Sequence, residues 1–310
     1  MFDTLWDVVI VGAGPAGLAS AIYTGRSNLK TLVLDAMFPG GQLLVTEMIE
    51  NYPGFPEPMA GFELSDRMKK QAENFGAVIK SGYSVNKVDI DGDIFILKLE
   101  SGGEVKARTV IWAAGSTPRK LGVPGEAEFL GRGVSYCAVC DGALFKGRDV
   151  AVVGGGDSAL EEALFLTKFA NKVYLIHRRD KFRAVPIVQE RVKANEKIKP
   201  VLNKVVESIN GDQFVESLTL KDTVTGEKSE QKVDGIFIFI GSEPNTAPIA
   251  HLVELDDRGY ILTDDEMKTA TPGLFAAGDT RKKPLKQVIT AAADGAVAAM
   301  SASRYLEERK

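Results

Sequence analysis

Two segments of the chain repeat one pattern: an apolar run, a glycine-rich turn and a stretch of small residues. Residues 8–21 read VVIVGAGPAGLASA, and residues 150–163 read VAVVGGGDSALEEA. A short, continuous apolar run bounded by glycine favours a buried strand, and the small residues that follow favour a helix lying close on that strand. The repeat therefore predicts an α/β fold that contains two strand–turn–helix units of the same kind.

The glycines in these turns have the spacing of a dinucleotide-binding motif. The first turn fits G-x-G-x-x-G and the second fits G-x-G-x-x-A, through Gly12, Gly14, Gly17, Gly154, Gly156 and Ala159. One position makes the tight turn, one lets the backbone approach a pyrophosphate, and one lets the helix pack on the strand. A single match is weak evidence in a chain with 31 glycines. Two matches, each directly after a buried strand, predict two dinucleotide sites.

The residues that end the second strand of each unit predict different cofactors. The run 31–34 ends in Asp35, and a carboxylate there accepts hydrogen bonds from both ribose hydroxyls of an adenosine such as that of FAD. The run 172–176 ends in His177 and continues with Arg178, Arg179 and Arg183, whose guanidinium groups suit the 2′-phosphate of NADPH. A solvated basic turn is the alternative interpretation of these arginines.

Two later strands predict that the first unit is completed by the C-terminal part of the chain. Segments 109–115 and 273–279 both end in small residues and glycine, and the second places Asp279 before a helix at 287–295 whose N-terminus is expected to face a flavin. A helix that is merely capped and packed is the alternative. The expected domains are an FAD-binding domain of residues 1–116 and 246–310 and an inserted NADPH-binding domain of residues 117–245. Two Pro/Gly-containing crossings have the layout of a hinge.

Both cysteines of the chain lie in one C-x-x-C segment. Cys137 and Cys140 have the spacing of a redox-active dithiol, in which one thiolate attacks a partner and the other resolves the mixed disulfide. Zinc would need more soft ligands than this chain offers, so no metal is expected. Asp141 is placed to move the thiol proton, although a simple turn residue before Gly142 or two unlinked buried cysteines would give the same letters.

Charge and hydropathy exclude several classes of protein. The net charge of −4 offers no basic surface for nucleic acid, and no apolar run has the length of a membrane span. The N-terminus carries two acids, Asp3 and Asp7, ahead of Arg26 as the first basic residue, so no secretory leader is expected. The cytoplasm is the expected compartment.

Between Asp7 and about Leu306 the sequence resembles the low-molecular-weight thioredoxin reductases of bacteria and archaea, class II of the pyridine nucleotide-disulfide oxidoreductases. The motifs that carry the resemblance are GAGPAG (12–17), GGQL (40–43), NYPG (51–54), CAVCDG (137–142), GGGDSA (154–159), HRRDKFRA (177–184) and AAGD (276–279). The resemblance implies two Rossmann-like, three-layer ββα domains, the second inserted into the first, in a homodimer. It also implies NADPH-dependent reduction of thioredoxin, with Cys140 facing the flavin and Cys137 attacking thioredoxin.

The resemblance also implies two sets of cofactor contacts. Those for FAD are Gly12, Gly14, Pro15, Ala16, Gly17, Asp35, Gly41, Gln42, Leu43, Asn51, Val88, Ala114, Gly115, Gly278, Asp279, Lys286, Gln287 and Val288. Those for NADPH are Gly154, Gly156, Asp157, Ser158, Ala159, His177, Arg178, Arg179, Arg183, Ile240 and Gly241. Two residues depart from the family pattern: Lys286 stands where arginine is usual, and Ser242 where some relatives have histidine.

Since the dithiol and the nicotinamide site share one domain and each must reach the flavin, we expect that domain to rotate between half-reactions. Other functions remain open at this point. They are reduction of another dithiol carrier, such as a peroxidase-system or glutaredoxin-like protein, a ferredoxin-fed or oxygen-using relative, and a non-catalytic flavin-binding redox sensor. Retention of the arginine set, both cysteines and Asp141 favours the NADPH-dependent reductase.

Overall fold

The computed structural model describes residues 4–46 and 48–309. Asp3, one of the two N-terminal acids named above, lies outside the described residues. The strands are β1 (Leu5–Val11), β2 (Thr31–Asp35), β3 (Met48–Ile49), β4 (Met59–Ala60), β5 (Val78–Ser81), β6 (Val85–Asp91), β7 (Ile94–Leu99), β8 (Glu104–Trp112), β9 (Ser116–Pro118), β10 (Val134–Ser135), β11 (Asp149–Gly154), β12 (Lys172–His177), β13 (Ile198–Leu202), β14 (Lys204–Gly211), β15 (Val215–Asp222), β16 (Lys228–Lys232), β17 (Gly235–Phe239), β18 (Ser242–Pro244) and β19 (Leu274–Ala276).

The helices connect these strands in an α/β arrangement. They are α1 (Pro15–Arg26), α2 (Gly61–Asn74), α3 (Ala138–Asp141), α4 (Asp157–Leu166), α5 (Pro186–Ala194) and α6 (Val288–Glu307), with short 3₁₀ turns at Gly41–Val45, Gly142–Phe145, Ala247–Ile249 and Gly278–Thr280. Within the described ranges, no helix combines the length and the apolar character that crossing a bilayer requires. The chain divides into two compact units: Met1–Thr117 with Glu243–Lys310 (unit 1), and Pro118–Ser242 (unit 2).

Unit 1 is built on a seven-stranded sheet. Its strand order is β5-β2-β1-β8-β7-β6, and β19 also pairs with β8. Strands β5, β2, β1, β8 and β19 run parallel, whereas β6 and β7 continue the sheet in antiparallel fashion. One edge of β8 serves two partners, because its first half pairs with β7 and its last three residues pair with β19. The C-terminal part of the chain thereby enters the sheet of the first glycine turn.

The alternation of side chains along β1 separates two cores in unit 1. Val8 and Ile10 point to one face and belong to the cluster that includes α1 and α6. Val9 and Val11 point to the other face and join the side chains of β6, β7 and β8. Because both faces are covered, β1 reads in the sequence as a continuous apolar run and not as an alternating one.

Unit 2 repeats this arrangement on a smaller scale. Its parallel sheet has the order β10-β17-β11-β12-β13, and β14-β15-β16 form a separate antiparallel sheet. Val150 and Val152 of β11 pack among α4 and α5, while Ala151 and Val153 pack against side chains of β14 and β15. The two segments that connect the units, β9 and β18, pair with each other as a two-stranded sheet. The mixed α/β fold with parallel sheets is confirmed.

Candidate active site

The first glycine turn, between β1 and α1, is shaped by close backbone contacts. A Cβ atom added to Gly12 would lie 2.3 Å from the carbonyl oxygen of Ala113, and one added to Gly17 would lie 1.8 Å from that of Gly12. Gly14 differs from these two, because the nearest atom to its added Cβ is the Cα of Gly41 at 3.9 Å. The turn therefore packs tightly at Gly12 and Gly17 and leaves the backbone open at Gly14. Helix α1 begins there, and its first N–H groups lack helical partners.

Asp35, at the end of β2, holds this turn in place. Its Oδ2 accepts a hydrogen bond of 2.7 Å from the N–H of Ala13, and its Oδ1 accepts one of 2.9 Å from the N–H of Met37. A carboxylate oxygen has further lone pairs, so both oxygens can still accept from a ribose. The predicted ribose acceptor thus also orients the glycine turn.

A second group of predicted FAD contacts lies around the start of α6. The Nδ2 of Asn51 donates to the Oε1 of Gln287 at 3.1 Å, and Gln287 caps α6. Asp279 is half-buried, and among the described residues its enclosed Oδ1 has no hydrogen-bond partner. Burial raises the pKa of Asp279 above its ordinary value, against the opposing charges of Lys283 and Lys286. The unpartnered oxygen indicates a site for a ligand donor.

The remaining predicted FAD contacts differ in their burial and in their partners. Leu43 and Val88 are buried, with 1% and 0% of their surface exposed. The Nε2 of Gln42 donates to the carbonyl oxygen of Ser116 at 3.3 Å, and the ammonium of Lys286 lies 3.7 Å from the ring centroid of Tyr260. The others occupy the first turn of α1, the end of β8, the 3₁₀ turn before α6 and the start of α6: Pro15, Ala16, Ala114, Gly115, Gly278 and Val288.

The second glycine turn, between β11 and α4, repeats the first in unit 2. A Cβ atom added to Gly154 would lie 2.4 Å from the carbonyl oxygen of Phe239 and 2.5 Å from the Cβ of Ala159. Nothing lies within 4 Å of the corresponding position at Gly156, the residue before α4. Here too the backbone is open where the helix begins.

The arginine turn, residues 178–183, is fastened to this second glycine turn. The N–H of Arg183 donates to the carbonyl oxygen of Gly155 at 2.6 Å, and the N–H of Val185 donates to the Oδ1 of Asp157 at 2.7 Å. The side chains of Arg178, Arg179 and Arg183 are exposed, and within the described residues none of them lies within salt-bridge distance of a carboxylate. Three unneutralised guanidinium groups beside a helix N-terminus make an anion-binding surface.

Four other residues of the predicted NADPH set are placed as follows. His177 is 5% exposed and packs beneath Gly155, where an added Cβ would meet its ring at 2.3 Å. Burial and the positive charge of Arg183 lower the pKa of His177. Ser158 is exposed in the first turn of α4, and after β17 Ile240 is half-buried while Gly241 is exposed.

The dithiol lies in unit 2 at the short helix α3. Cys137 and Cys140 form a disulfide with a Cα–Cα distance of 5.3 Å. The Sγ of Cys137 accepts a 3.1 Å hydrogen bond from the N–H of Cys140, as expected for a residue that caps a helix. Cys137 is half-buried and Cys140 is exposed. The C-x-x-C spacing therefore gives a closed ring on a helix N-terminus.

Sequence reasoning missed the residues that hold this ring. Ser135 is 4% exposed and donates to the Oδ2 of Asp141 at 2.6 Å. Glu126 is 5% exposed and accepts hydrogen bonds from the hydroxyl of Tyr136 at 2.6 Å and from the N–H groups of Leu121 and Gly122. Burial raises the pKa of Glu126, but these hydrogen bonds outweigh burial and hold the pKa below its ordinary value. A serine at the end of a short strand, and a glutamate and a tyrosine outside regular elements, carry no local signal of such partners.

Asn245 in unit 1 was missed as well. Its Nδ2 donates to the carbonyl oxygen of Ala114 at 2.9 Å, its N–H donates to that of Gly115 at 3.0 Å, and its own carbonyl accepts from the indole of Trp112. Asn245 therefore fixes the end of β8, where two FAD contacts are predicted. Among residues 4–46 and 48–309, no three His, Cys, Asp or Glu side chains are arranged to share a metal ion.

Comparisons with known proteins agree with this arrangement. The profile of the family "Pyridine nucleotide-disulphide oxidoreductase" matches residues 6–295. A thioredoxin reductase of Bacillus subtilis (strain 168) is 51% identical over 307 residues, which cover 99% of this chain and 96% of the relative.

Two solved structures are similar over nearly the whole chain. A thioredoxin reductase of Lactococcus lactis, described as the FR conformation, superposes with a TM-score of 0.95 at 44% identity, covering 98% of this chain and 99% of the other. One of T. acidophilum superposes with a TM-score of 0.92 at 35% identity, with the same coverage. The predicted family is confirmed: the chain belongs to the pyridine nucleotide-disulphide oxidoreductases.

Proposed function

We propose that the protein is an NADPH-dependent flavoprotein that reduces the disulfide of thioredoxin through Cys137 and Cys140. The observation that carries this proposal is the disulfide on a helix N-terminus in the same unit as the second glycine turn and the arginine turn. Relatives named thioredoxin reductase, similar over nearly the entire chain, support it.

The residues of unit 1 fit a flavin dinucleotide. The backbone is open at Gly14 above the N-terminus of α1, where a pyrophosphate is stabilised, and Asp35 closes β2 with lone pairs to spare for a ribose. The unpartnered Oδ1 of Asp279 provides an acceptor for a hydroxyl of the ligand. We propose that residues 1–116 and 246–310 hold FAD.

The residues of unit 2 fit NADPH. Gly156 leaves the start of α4 open for a pyrophosphate, and the exposed guanidinium groups of Arg178, Arg179 and Arg183 suit the 2′-phosphate. His177 supports the turn from beneath. We propose that residues 117–245 hold NADPH. When bound, NADPH and FAD supply hydride transfer and the electron pair that opens the Cys137–Cys140 disulfide.

The chain's own residues complete the reaction with thioredoxin. The Cys137 thiolate attacks a sulfur of the thioredoxin disulfide, a mixed disulfide forms, and the departing thioredoxin sulfur takes up a proton. Cys140 then attacks the Cys137 sulfur, which restores the intramolecular disulfide and releases the second thioredoxin thiol. Asp141, held beside the dithiol, gives and takes the proton in these steps.

A titration of the purified protein tests this function. The holoprotein should be yellow, lose its colour when NADPH is added without oxygen, and recover it when thioredoxin is added. Cys137→Ser and Cys140→Ser should still be bleached by NADPH but should lose at least about 100-fold of thioredoxin turnover, since each removes an essential sulfur. Ser101→Ala, in the exposed turn between β7 and β8, serves as the control for handling and flavin content.

Three outcomes would contradict the proposal. Bleaching without any transfer to thioredoxin, together with transfer to another small dithiol protein, would assign a different carrier. No bleaching by NADPH would favour a ferredoxin-fed enzyme or a sensor. Full turnover by either serine variant would remove the dithiol from the mechanism.

We propose that unit 2 rotates between half-reactions. The paired strands β9 and β18 are the connections between the units, and the rotation takes place about them. Undiminished turnover after the units are cross-linked would contradict this.

We also propose that the protein is a cytoplasmic homodimer. The exposed apolar side chains of Met37, Phe38 and Phe62 on unit 1 support the dimer. Sedimentation equilibrium should return the mass of two chains.

A further inference from the structure

Ser135 ends strand β10 directly before the dithiol, and its hydroxyl lies between two groups of the site. The Oγ lies 2.6 Å from the Oδ2 of Asp141, 3.0 Å from the backbone nitrogen of Cys137 and 3.2 Å from the carbonyl oxygen of Cys137. Since Ser135 is only 4% exposed, water is largely excluded from these contacts. The hydroxyl therefore connects the acid to the backbone of the attacking cysteine.

The single hydroxyl hydrogen of Ser135 has two possible acceptors. While Asp141 is ionised, the hydrogen points to its Oδ2, because that contact is shorter and its acceptor carries charge. When Asp141 carries a proton, Asp141 can donate to the Ser135 Oγ, and the serine hydrogen can turn to the carbonyl oxygen of Cys137. The N–H of Cys137 donates to the Oγ in both cases. The Ser135 hydroxyl, the Oδ2 of Asp141 and the N–H and carbonyl of Cys137 therefore keep hydrogen-bond partners in both states without movement of a heavy atom.

We propose that Ser135 is a positioning residue that lets Asp141 gain and lose the dithiol proton without rearrangement of the site. This inference rests on the proposed function for the role of Asp141. Ser135 touches neither thioredoxin nor a cofactor in this mechanism. It acts through Asp141, by turning its hydroxyl, and it fixes the backbone of Cys137 at the same time.

The neighbouring residue provides a matched control. The hydroxyl of Tyr136 makes a hydrogen bond of the same length, 2.6 Å, to a carboxylate in the same segment, but that carboxylate belongs to Glu126. Tyr136→Phe therefore removes a comparable interaction next to Cys137 while leaving Asp141 and Ser135 untouched. A purely structural role for the segment predicts the same behaviour for both variants.

A double-mutant cycle between Ser135 and Asp141 tests the proposal. Ser135→Ala in the holoenzyme should lower kcat for thioredoxin about tenfold, while KM changes by less than about twofold. Asp141→Asn keeps the shape of the side chain but holds no transferable acid proton. In that background, Ser135→Ala should change kcat by less than about twofold. Tyr136→Phe should have the same effect, whatever its size, in both backgrounds. An equal loss from Ser135→Ala in both backgrounds would overturn the proposal.

A second readout does not depend on thioredoxin. Dithiothreitol opens the Cys137–Cys140 disulfide by attacking one sulfur, and the other sulfur leaves and takes up a proton. The rate of opening, followed by alkylation and mass measurement, should fall at least threefold in Ser135→Ala and should not fall further when Ser135→Ala is added to Asp141→Asn. Additive losses in this assay overturn the role of Ser135. A parent enzyme that fails to reduce thioredoxin while showing this non-additivity would instead overturn the proposed function.

Discussion

The imidazole of His177 is a buried base at the edge of a positively charged turn. Its ring is enclosed under Gly155, and among the described residues its Nε2 has no hydrogen-bond partner. Burial lowers its pKa first, and the charge of Arg183 lowers it further, so that the folded protein favours the neutral ring. The unfolded chain, with an ordinary histidine pKa of about 6.5, takes up this proton earlier as the pH falls.

This difference in pKa predicts that protonation of His177 lowers the stability of the folded protein in weak acid. Because the unfolded state binds more protons below a pH of about 6.5, the free energy of unfolding should fall between pH 7 and about pH 5.5, by up to about 1.4 kcal/mol per pH unit. The unfolding temperature should fall with it. In His177→Phe this part of the fall should be absent when thermal unfolding is followed by circular dichroism. His251→Phe, at the exposed second histidine, is the control and should keep the fall of the parent. An unchanged fall in His177→Phe would contradict the prediction.

Single residues also show how far a sequence can be interpreted. Gly12, Gly154 and the cysteine pair could be assigned from the sequence because their roles require particular residue types at fixed local spacings. Ser135 and Asn245 could not, because their roles depend on which acceptors the fold brings near them. For a serine or asparagine outside a turn motif or a helix cap, no sequence spacing predicts which partner its side chain will bind.

At the scale of elements, Asp294 anchors the turn that carries Asp279 to helix α6. The carboxylate of Asp294 is 7% exposed and accepts hydrogen bonds from the N–H of Gly278 at 3.1 Å, from Arg281 at 3.2 Å and from Lys283 at 2.8 Å. The side chain of Lys283 is 4% exposed. A buried carboxylate between two cations is hard to remove, because its loss leaves unpaired charge in a region of low dielectric.

Asp294→Asn should therefore weaken both stability and flavin binding. We expect a loss of about 3 kcal/mol in the free energy of unfolding of unit 1 and at least about tenfold weaker FAD binding, since the turn at Gly278 loses its anchor. Heat denaturation of the flavin-free protein and quenching of flavin fluorescence measure the two effects. Glu266→Gln is the matched control: Glu266 also pairs with two cations, Lys268 and Arg304, but its side chain is 46% exposed.

The control should lose less than about 1 kcal/mol, because exposed ion pairs contribute little. Equal losses in the two variants would show that burial of Asp294 does not decide its role. The sequence predicts helix α6 and its capped start but not this anchor. The partners of Asp294 lie in the preceding loop, and only the pairing of β19 with β8 places that loop beside the helix.

At the scale of the whole molecule, each unit has its own cores. The clusters around β1 contain residues of unit 1, and the clusters around β11 contain residues of unit 2. The glycine repeat predicts two strand–turn–helix units because the pattern is local. It cannot predict the antiparallel sheet β14-β15-β16, whose edge strand β16 is largely exposed and polar. Unit 2 lies within the usual size of an independent domain.

Separate cores predict that unit 2 folds without unit 1. A protein consisting of residues 118–242 should unfold cooperatively, form the Cys137–Cys140 disulfide and bind NADPH more tightly than NADH, because Arg178, Arg179 and the glycine turn all lie within it. Circular dichroism melting and calorimetric titration measure folding and binding separately. In the same fragment, Arg178→Gln with Arg179→Gln should remove the preference for NADPH and leave the melting temperature within a few degrees, since both side chains are exposed. A folded fragment that binds neither nucleotide would contradict the assignment of NADPH to this unit, whereas an unfolded one would show that its cores depend on unit 1.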